Sequence, residues 1–370
     1  MSRAQFRFLV LVLLLLIAAV AVRPARGRGD APSLVGPAVM TLELTPVSIT
    51  ANDIVYDPVR QRLYASLSGD QGALGNSIVS ITPDGQVRDL GFIGSEPNVL
   101  ALSDDAAYLY VGLDGAAAVR RLNLTTLVAE PQWPLASQGL NKVIDMVVLD
   151  AAADVVAVAE GRDHFRPWVN VRIYEEGVGR PTITPEGTQH DRLEASDNPQ
   201  VLYSLNTFTS ARELNRLAVT DDGVTIAQSV SERFFGVSPF DLRYAAGRLY
   251  GSDGRLVDAA TLAPLGRFAA EGPVAPRPEM GRVFFLHYDG AYLLTELRLF
   301  DVATFRQVAA ARVPNFGGTY PNTPVELLPA GPNRLAFRTA TGQVYWLHYR
   351  LMDDLSFVPF LGRAPWAAGQ

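Results

Sequence analysis

One short pattern of residues returns along this chain at an interval close to 46. Its anchor is a pair of apolar or aromatic positions inside a β-rich stretch: Leu63-Tyr64, Leu109-Tyr110, Val155-Val156, Leu202-Tyr203, Leu249-Tyr250, Val283-Phe284 and Leu335-Ala336. Successive copies stand 46, 46, 47, 47, 34 and 52 residues apart. Repeats of this length build either helical solenoids or four-stranded propeller blades, so local periodicity decides between them. Val169-Asn170-Val171-Arg172-Ile173 and Leu297-Arg298-Leu299 alternate with period two, which is the signature of strands and not of a 3.6-residue helix. Residues 82–86, 220–223 and 329–333 supply Pro, Asp, Asn and Gly, the residues hairpins use where φ is preset or positive.

A single four-stranded unit cannot bury both of its faces, so such units are stable only when stacked. Seven copies close a ring. The chain is therefore expected to be all-β, a seven-bladed β-propeller of four-stranded antiparallel blades over residues 38–350. The last copy, residues 325–350, supplies three strands, and residues 40–50 read as a lone strand ahead of the first copy. Pairing the two closes the ring with an N-terminal strand. Residues 351–370 are left as a C-terminal tail, in which residues 355–362 compete for the same edge.

Tyr110-Val111-Gly112, followed by Val119 and Leu122-Asn123-Leu124-Thr125-Thr126, and likewise Leu299-Phe300-Asp301-Val302-Ala303-Thr304, resemble the Tyr-Val-Thr-Asn repeats of bacterial and archaeal surface-protein propellers. That superfamily is related to lactonase-like and quinoprotein-like propellers. The similarity covers about residues 45–350, and it departs from the family wording where Leu113 replaces the Asn. It implies the seven-bladed fold. Fold kinship implies chemistry only by analogy: a lactonase-like hydrolase or a quinone-cofactor dehydrogenase with a cation in the central channel.

The N-terminus sets the expected address. Arg3 and Arg7 precede an unbroken apolar run over residues 8–22 and the basic stretch that follows. This is an export signal with a small-x-small cleavage site at Ala19-Val20-Ala21, or, left uncleaved, a membrane anchor. Its 15 apolar residues fall short of the roughly 20 that span a bilayer. Residues 1–27 are assigned to this segment and residues 28–37 to a flexible linker. The protein is expected to be extracytoplasmic, whether secreted, periplasmic or held at the cell surface, with the membrane touched only through an uncleaved N-terminal segment. No cysteine is present, which excludes disulfides, lipoprotein attachment and c-type haem. Net charge is −6, and −10 without residues 1–27, whose basic residues are Arg3, Arg7, Arg23 and Arg26; so acidic a chain has no footprint for nucleic acid.

In a four-stranded blade the a–b and c–d turns lie on one face of the disc, and the b–c loops and blade-to-blade d–a connections on the other. Long b–c loops are expected at residues 68–77, 160–170, 206–216 and 287–297, and their collection on one face marks a binding surface. Rim-binding candidates on two of them are Asp163, His164, Arg166 and Trp168, and His287, Tyr288 and Asp289. Innermost strands line the channel, and their polar positions at its mouth are Asn52, Asp53, Asn98, Asp145, Glu194, Asp241 and Glu326. Carboxylates converging on one axis raise one another's pKa and are relieved by a divalent cation such as Ca²⁺; the same groups also serve to cap backbone amides between blades. No His-x-His, His-Glu-x-x-His, Gly-x-Ser-x-Gly, phosphate-loop or Rossmann spacing occurs, so no other cofactor is expected. The expected function is that of an exported, non-catalytic propeller binding an envelope protein, peptide or glycan through its long-loop face, with the enzyme reading as its alternative.

Overall fold

The computed structural model describes residues 38–352, apart from 138, 140, 150–154, 163–168, 186–187, 210–211, 232–240, 291, 293 and 318–319. These residues form seven separate antiparallel sheets. The innermost strands are Asp53–Asp57, Pro97–Leu102, Lys142–Val148, Arg192–Ala195, Leu242–Ala245, Val274–Arg277 and Pro324–Pro329 in blades 1 to 7. Each neighbours the next around the ring, and the last neighbours the first. The fold is a closed seven-bladed propeller.

All seven anchor pairs fall on the second strand of a blade: Arg62–Leu67, Tyr108–Leu113, Val155–Gly161, Val201–Leu205, Arg248–Gly251, Arg282–Asp289 and Arg334–Thr339. A second strand has partners along both edges and a blade against both faces, so it reads as a continuous apolar run. Adjacent residues point to opposite faces, and the pair uses this to bolt three blades together. Leu63 packs with blade 7 while Tyr64 packs with blade 2. Leu109 likewise faces blade 1 and Tyr110 blade 3, and Leu249 faces blade 4 and Tyr250 blade 6. The pattern recurs in sequence because the same two-sided contact recurs in space.

The strand Val39–Thr50 pairs antiparallel with Gln343–Met352, from Val39 opposite Met352 to Val47 opposite Val344, with a bulge before Thr50. It is the outer strand of blade 7, whose other three strands come from the end of the described chain. Its own Met40 and Val47 are buried, and the Ala38 N–H donates to the Val308 carbonyl of blade 6 at 2.9 Å. Pairing carries the propeller two residues beyond the expected limit at 350. The outer strands of blades 2 and 3 are the weakest, reduced to Val128–Ala129 plus Trp133–Pro134 and to Val178–Gly179. Pro131 and Pro134 lack the N–H a ladder needs. The signal or anchor, the linker and residues 355–362 lie outside the described residues.

Candidate functional site

All seven channel candidates, Asn52, Asp53, Asn98, Asp145, Glu194, Asp241 and Glu326, line one central cavity of about 820 Å³. They come from six blades. In blade 6 the innermost strand, Val-Ala-Pro-Arg, is buried along its length and adds no lining residue.

The carboxylates tie blades together. Asp53 accepts the Ile54 N–H at 2.9 Å and, from blade 2, the Leu100 N–H at 2.8 Å. Asp145 accepts the Met146 N–H and, from blade 4, the Leu193 N–H, both at 2.8 Å. Glu194 accepts the Tyr244 N–H of blade 5 at 3.1 Å. Asn52 adds a bond to the Pro97 carbonyl at 2.8 Å, and Asn98 donates to Asp114 at 3.1 Å. Amides otherwise orphaned at the inner edge are satisfied in this way.

The charge is compensated from within the protein. Arg243 lies 3.3 Å from Glu194, 3.2 Å from Asp241 and 3.7 Å from Glu326, so it spans from blade 4 to blade 7 past the apolar blade 6. Arg338 pairs with Glu326 at 3.1 Å, and Arg192 lines the same cavity. Burial opposes the charge on Arg243, but Asp241, Glu194 and Glu326 together hold its pKa above the ordinary value. Burial, reinforced by Glu326, raises Asp53 to about 8. Burial raises Glu194 to about 8 and Asp241 to about 6, each against the pull of Arg243, and it raises Asp145 against Arg192. Most of these carboxyl oxygens face backbone amides or the guanidiniums of Arg243 and Arg338, and among the described residues no group of three or more His, Asp or Glu is placed to hold a metal. Arg243 and Arg338 bring positive charge to the carboxylates of this wall.

The rim candidates divide. Asp163, His164, Arg166 and Trp168 lie outside the described residues. His287, Tyr288 and Asp289 are not in a loop as expected: they continue the second strand of blade 6, opposite Glu296, Thr295 and Leu294. Pairing with Leu294–Asp301 leaves only residues 290–293 as the link. The b–c links of blades 2, 5 and 7 are also tight, so the long ones belong to blades 1, 3 and 4. His190 sits in the d–a connection ahead of blade 4, fully buried, its ring nitrogens 2.7 Å from Ser204 Oγ and 2.8 Å from Thr188 Oγ1. Burial pushes its pKa down to about 4, and sequence reading gave it no role.

Exposed aromatic side chains carry the clearest asymmetry. Phe92, Phe208, Tyr292 and Tyr320 are 68%, 60%, 75% and 86% exposed. Phe92 ends the outer strand of blade 1 opposite Ser77, where the b–c loop has just finished. Phe208 and Tyr292 are on b–c links, and Tyr320 is on the d–a connection into blade 7. All four are on the same face. On the opposite face, at the a–b and c–d turns, the large exposed side chains among the described residues are aliphatic, among them Val59, Val128, Val178 and Met280.

Comparison with known proteins bears on the fold alone. No family model matches the chain, and no curated relative matches it. Solved structures that match include the β-propeller domain of Cps50 (Swd1) from Myceliophteria thermophila, 13% identical, with a TM-score of 0.60 over 84% of this chain and 99% of that one.

Proposed function

We propose that this protein is an exported, non-catalytic β-propeller that captures an envelope protein, peptide or glycan through the face carrying its b–c loops and d–a connections. The observation that carries this reading is the placement of Phe92, Phe208, Tyr292 and Tyr320, all exposed and all on that face. Aromatic residues anchor binding surfaces because they bury large, stiff areas at low entropic cost. Nothing in the fold requires these four to be aromatic. The Tyr-Val-Thr-Asn resemblance and the export signal support an extracytoplasmic setting, and the acidic charge argues against nucleic acid as the partner.

The test uses the full chain on a solid support, exposed to solubilised envelope. Phe208→Ser/Tyr292→Ser/Tyr320→Ser is expected to lose the bound partner, while Val59→Ser/Met280→Ser on the other face retains it. Equal capture by both variants would overturn the assignment. Hydrolysis of a lactone, or quinone-dependent oxidation, that disappears with Asp145→Ala would instead establish the enzyme reading.

A further inference from the structure

Between blades 5 and 6, on the same face, a groove of about 450 Å³ is lined by Arg267, Phe268, Ala269, Ala270, Glu271, His287 and Arg298. That volume is within the range of small-ligand sites. Its floor is rigid: Phe268 is buried and packs on Phe285, Phe300 and Phe305 with ring centroids 5.5, 5.6 and 4.9 Å away. Its walls are charged groups held by one another. Arg267 donates from Nε to the Asp253 carbonyl at 3.1 Å and from Nη2 to Glu271 at 3.0 Å. Arg298 donates from Nε and Nη2 to one oxygen of Glu296, at 3.1 and 2.8 Å. His287 Nδ1 is 2.8 Å from the Glu271 carbonyl. A carbonyl only accepts, so Nδ1 carries the proton, and in the neutral ring Nε2 is left as an acceptor.

What these bonds leave over defines the ligand. Arg267 Nη1 and Arg298 Nη1 are donors, and His287 Nε2 and Glu271 Oε2 are acceptors, with no partner among the described residues. A simple anion would use the donors and be repelled by Glu271. A cation would meet two guanidiniums. Hydroxyl groups donate and accept at once, and neighbouring hydroxyls on a ring satisfy a mixed set of this kind. We propose that the groove between blades 5 and 6 is a saccharide subsite that takes a neutral pyranose through its vicinal hydroxyls, with Arg267, Arg298, His287 and Glu271 as the contacting residues. This rests on the reading of the b–c/d–a face as the binding surface and adds to it a ligand class and a place.

The experiment measures binding of the full chain to an array of neutral oligosaccharides built from hexoses and N-acetylhexosamines, with trigalacturonate as the anionic probe. A neutral oligosaccharide is expected to bind, and Arg267→Ala/Arg298→Ala is expected to weaken it by about tenfold or more, since hydrogen bonds to charged groups are lost. His287→Phe, which keeps the ring and removes its nitrogens, is expected to weaken it by a smaller factor with the same melting temperature. Binding of trigalacturonate alone, or neutral binding that the double variant leaves unchanged, would overturn the proposal, as would no binding to any probe. Phe208→Ser/Tyr320→Ser separates the two readings: it is expected to abolish partner capture and leave saccharide binding intact. If capture depends on the aromatics while no saccharide binds, the groove proposal fails alone; if capture is also indifferent to them, the face reading fails with it.

Discussion

The channel wall and the groove between blades 5 and 6 are made of the same chemical parts, and they use them in opposite ways. In the channel, Arg243 is shared among Glu194, Asp241 and Glu326, and Asp53 and Asp145 spend their oxygens on backbone amides of their own and the following blade. In the groove, Arg267 is half exposed, is held by Glu271 and keeps donor capacity in reserve. The lesson is that polar residues converging on an axis are not for that reason a site. Saturation by neighbours marks structure, and a fixed orientation with spare hydrogen-bonding capacity marks a place where something else can bind.

The contrast is broken or sharpened most strongly by removing one arginine from each region. Arg243→Ala leaves three carboxylates facing one another with their shared partner gone. Allowing for the quarter of its surface that stays exposed, a loss of about 2–3 kcal/mol is expected. Arg267→Ala breaks a pair whose partners are 52% and 65% exposed, and surface pairs of this kind contribute roughly 0–1 kcal/mol. Urea unfolding of the two variants against the parent measures both. Equal, small losses would mean that the channel charges are solvated independently and that the ring is not an internal brace.

How much of this was legible follows from where each signal is written. The anchor pairs are local, and each is forced by a two-sided contact, so counting them yields seven blades. The channel carboxylates could be found because each stands on an innermost strand or one residue ahead of it. Arg243 was legible too: it is two residues from Asp241, as Arg192 is from Glu194, and residues two apart on a strand share a face. What no local signal supplies is the extent of pairing between strands. His287, Tyr288 and Asp289 sit beside Gly290 and resemble a loop, yet Leu294, Thr295 and Glu296 provide partners that keep them in the sheet. The exposure of Phe208 and Tyr320 is equally a property of the assembled face and not of their immediate neighbours.

A middle-sized effect tests the amide-capping role directly. Asp145→Ala leaves the Met146 and Leu193 N–H groups without their acceptor at the seam between blades 3 and 4, and a loss of about 1–3 kcal/mol is expected. Tyr320→Ser, whose side chain is 86% exposed, is expected to stay within about 0.5 kcal/mol of the parent. If Asp145→Ala were as silent as Tyr320→Ser, the channel would fall on the same side of the comparison as the loop face.

The dependence of stability on pH has a definite sign. Asp53 and Glu194 are raised to about 8 in the folded protein from unfolded values near 4, so between about pH 4 and pH 8 the folded state holds more protons than the unfolded one. Stability from these two groups is complete below about pH 4 and is lost as pH rises through 8. His190 runs the other way: held down to about 4 by burial from roughly 6.5, it costs stability as pH falls from 6.5 towards 4. Between about pH 4 and 6.5 the two carboxyls outweigh the one histidine, so the melting temperature should fall from about pH 4 to pH 8, more steeply above about 6.5. Glu194→Gln should make that decline shallower, and His190→Gln should make it steeper below about pH 6.5, whatever each does to absolute stability, because slope and not height reports proton uptake. A melting temperature that climbs steadily from pH 5 to pH 8 would show the channel carboxylates ionised together. The wall would then hold uncompensated negative charge, a cation would be favoured there after all, and the line drawn between a saturated channel and an unsaturated groove would have to be moved.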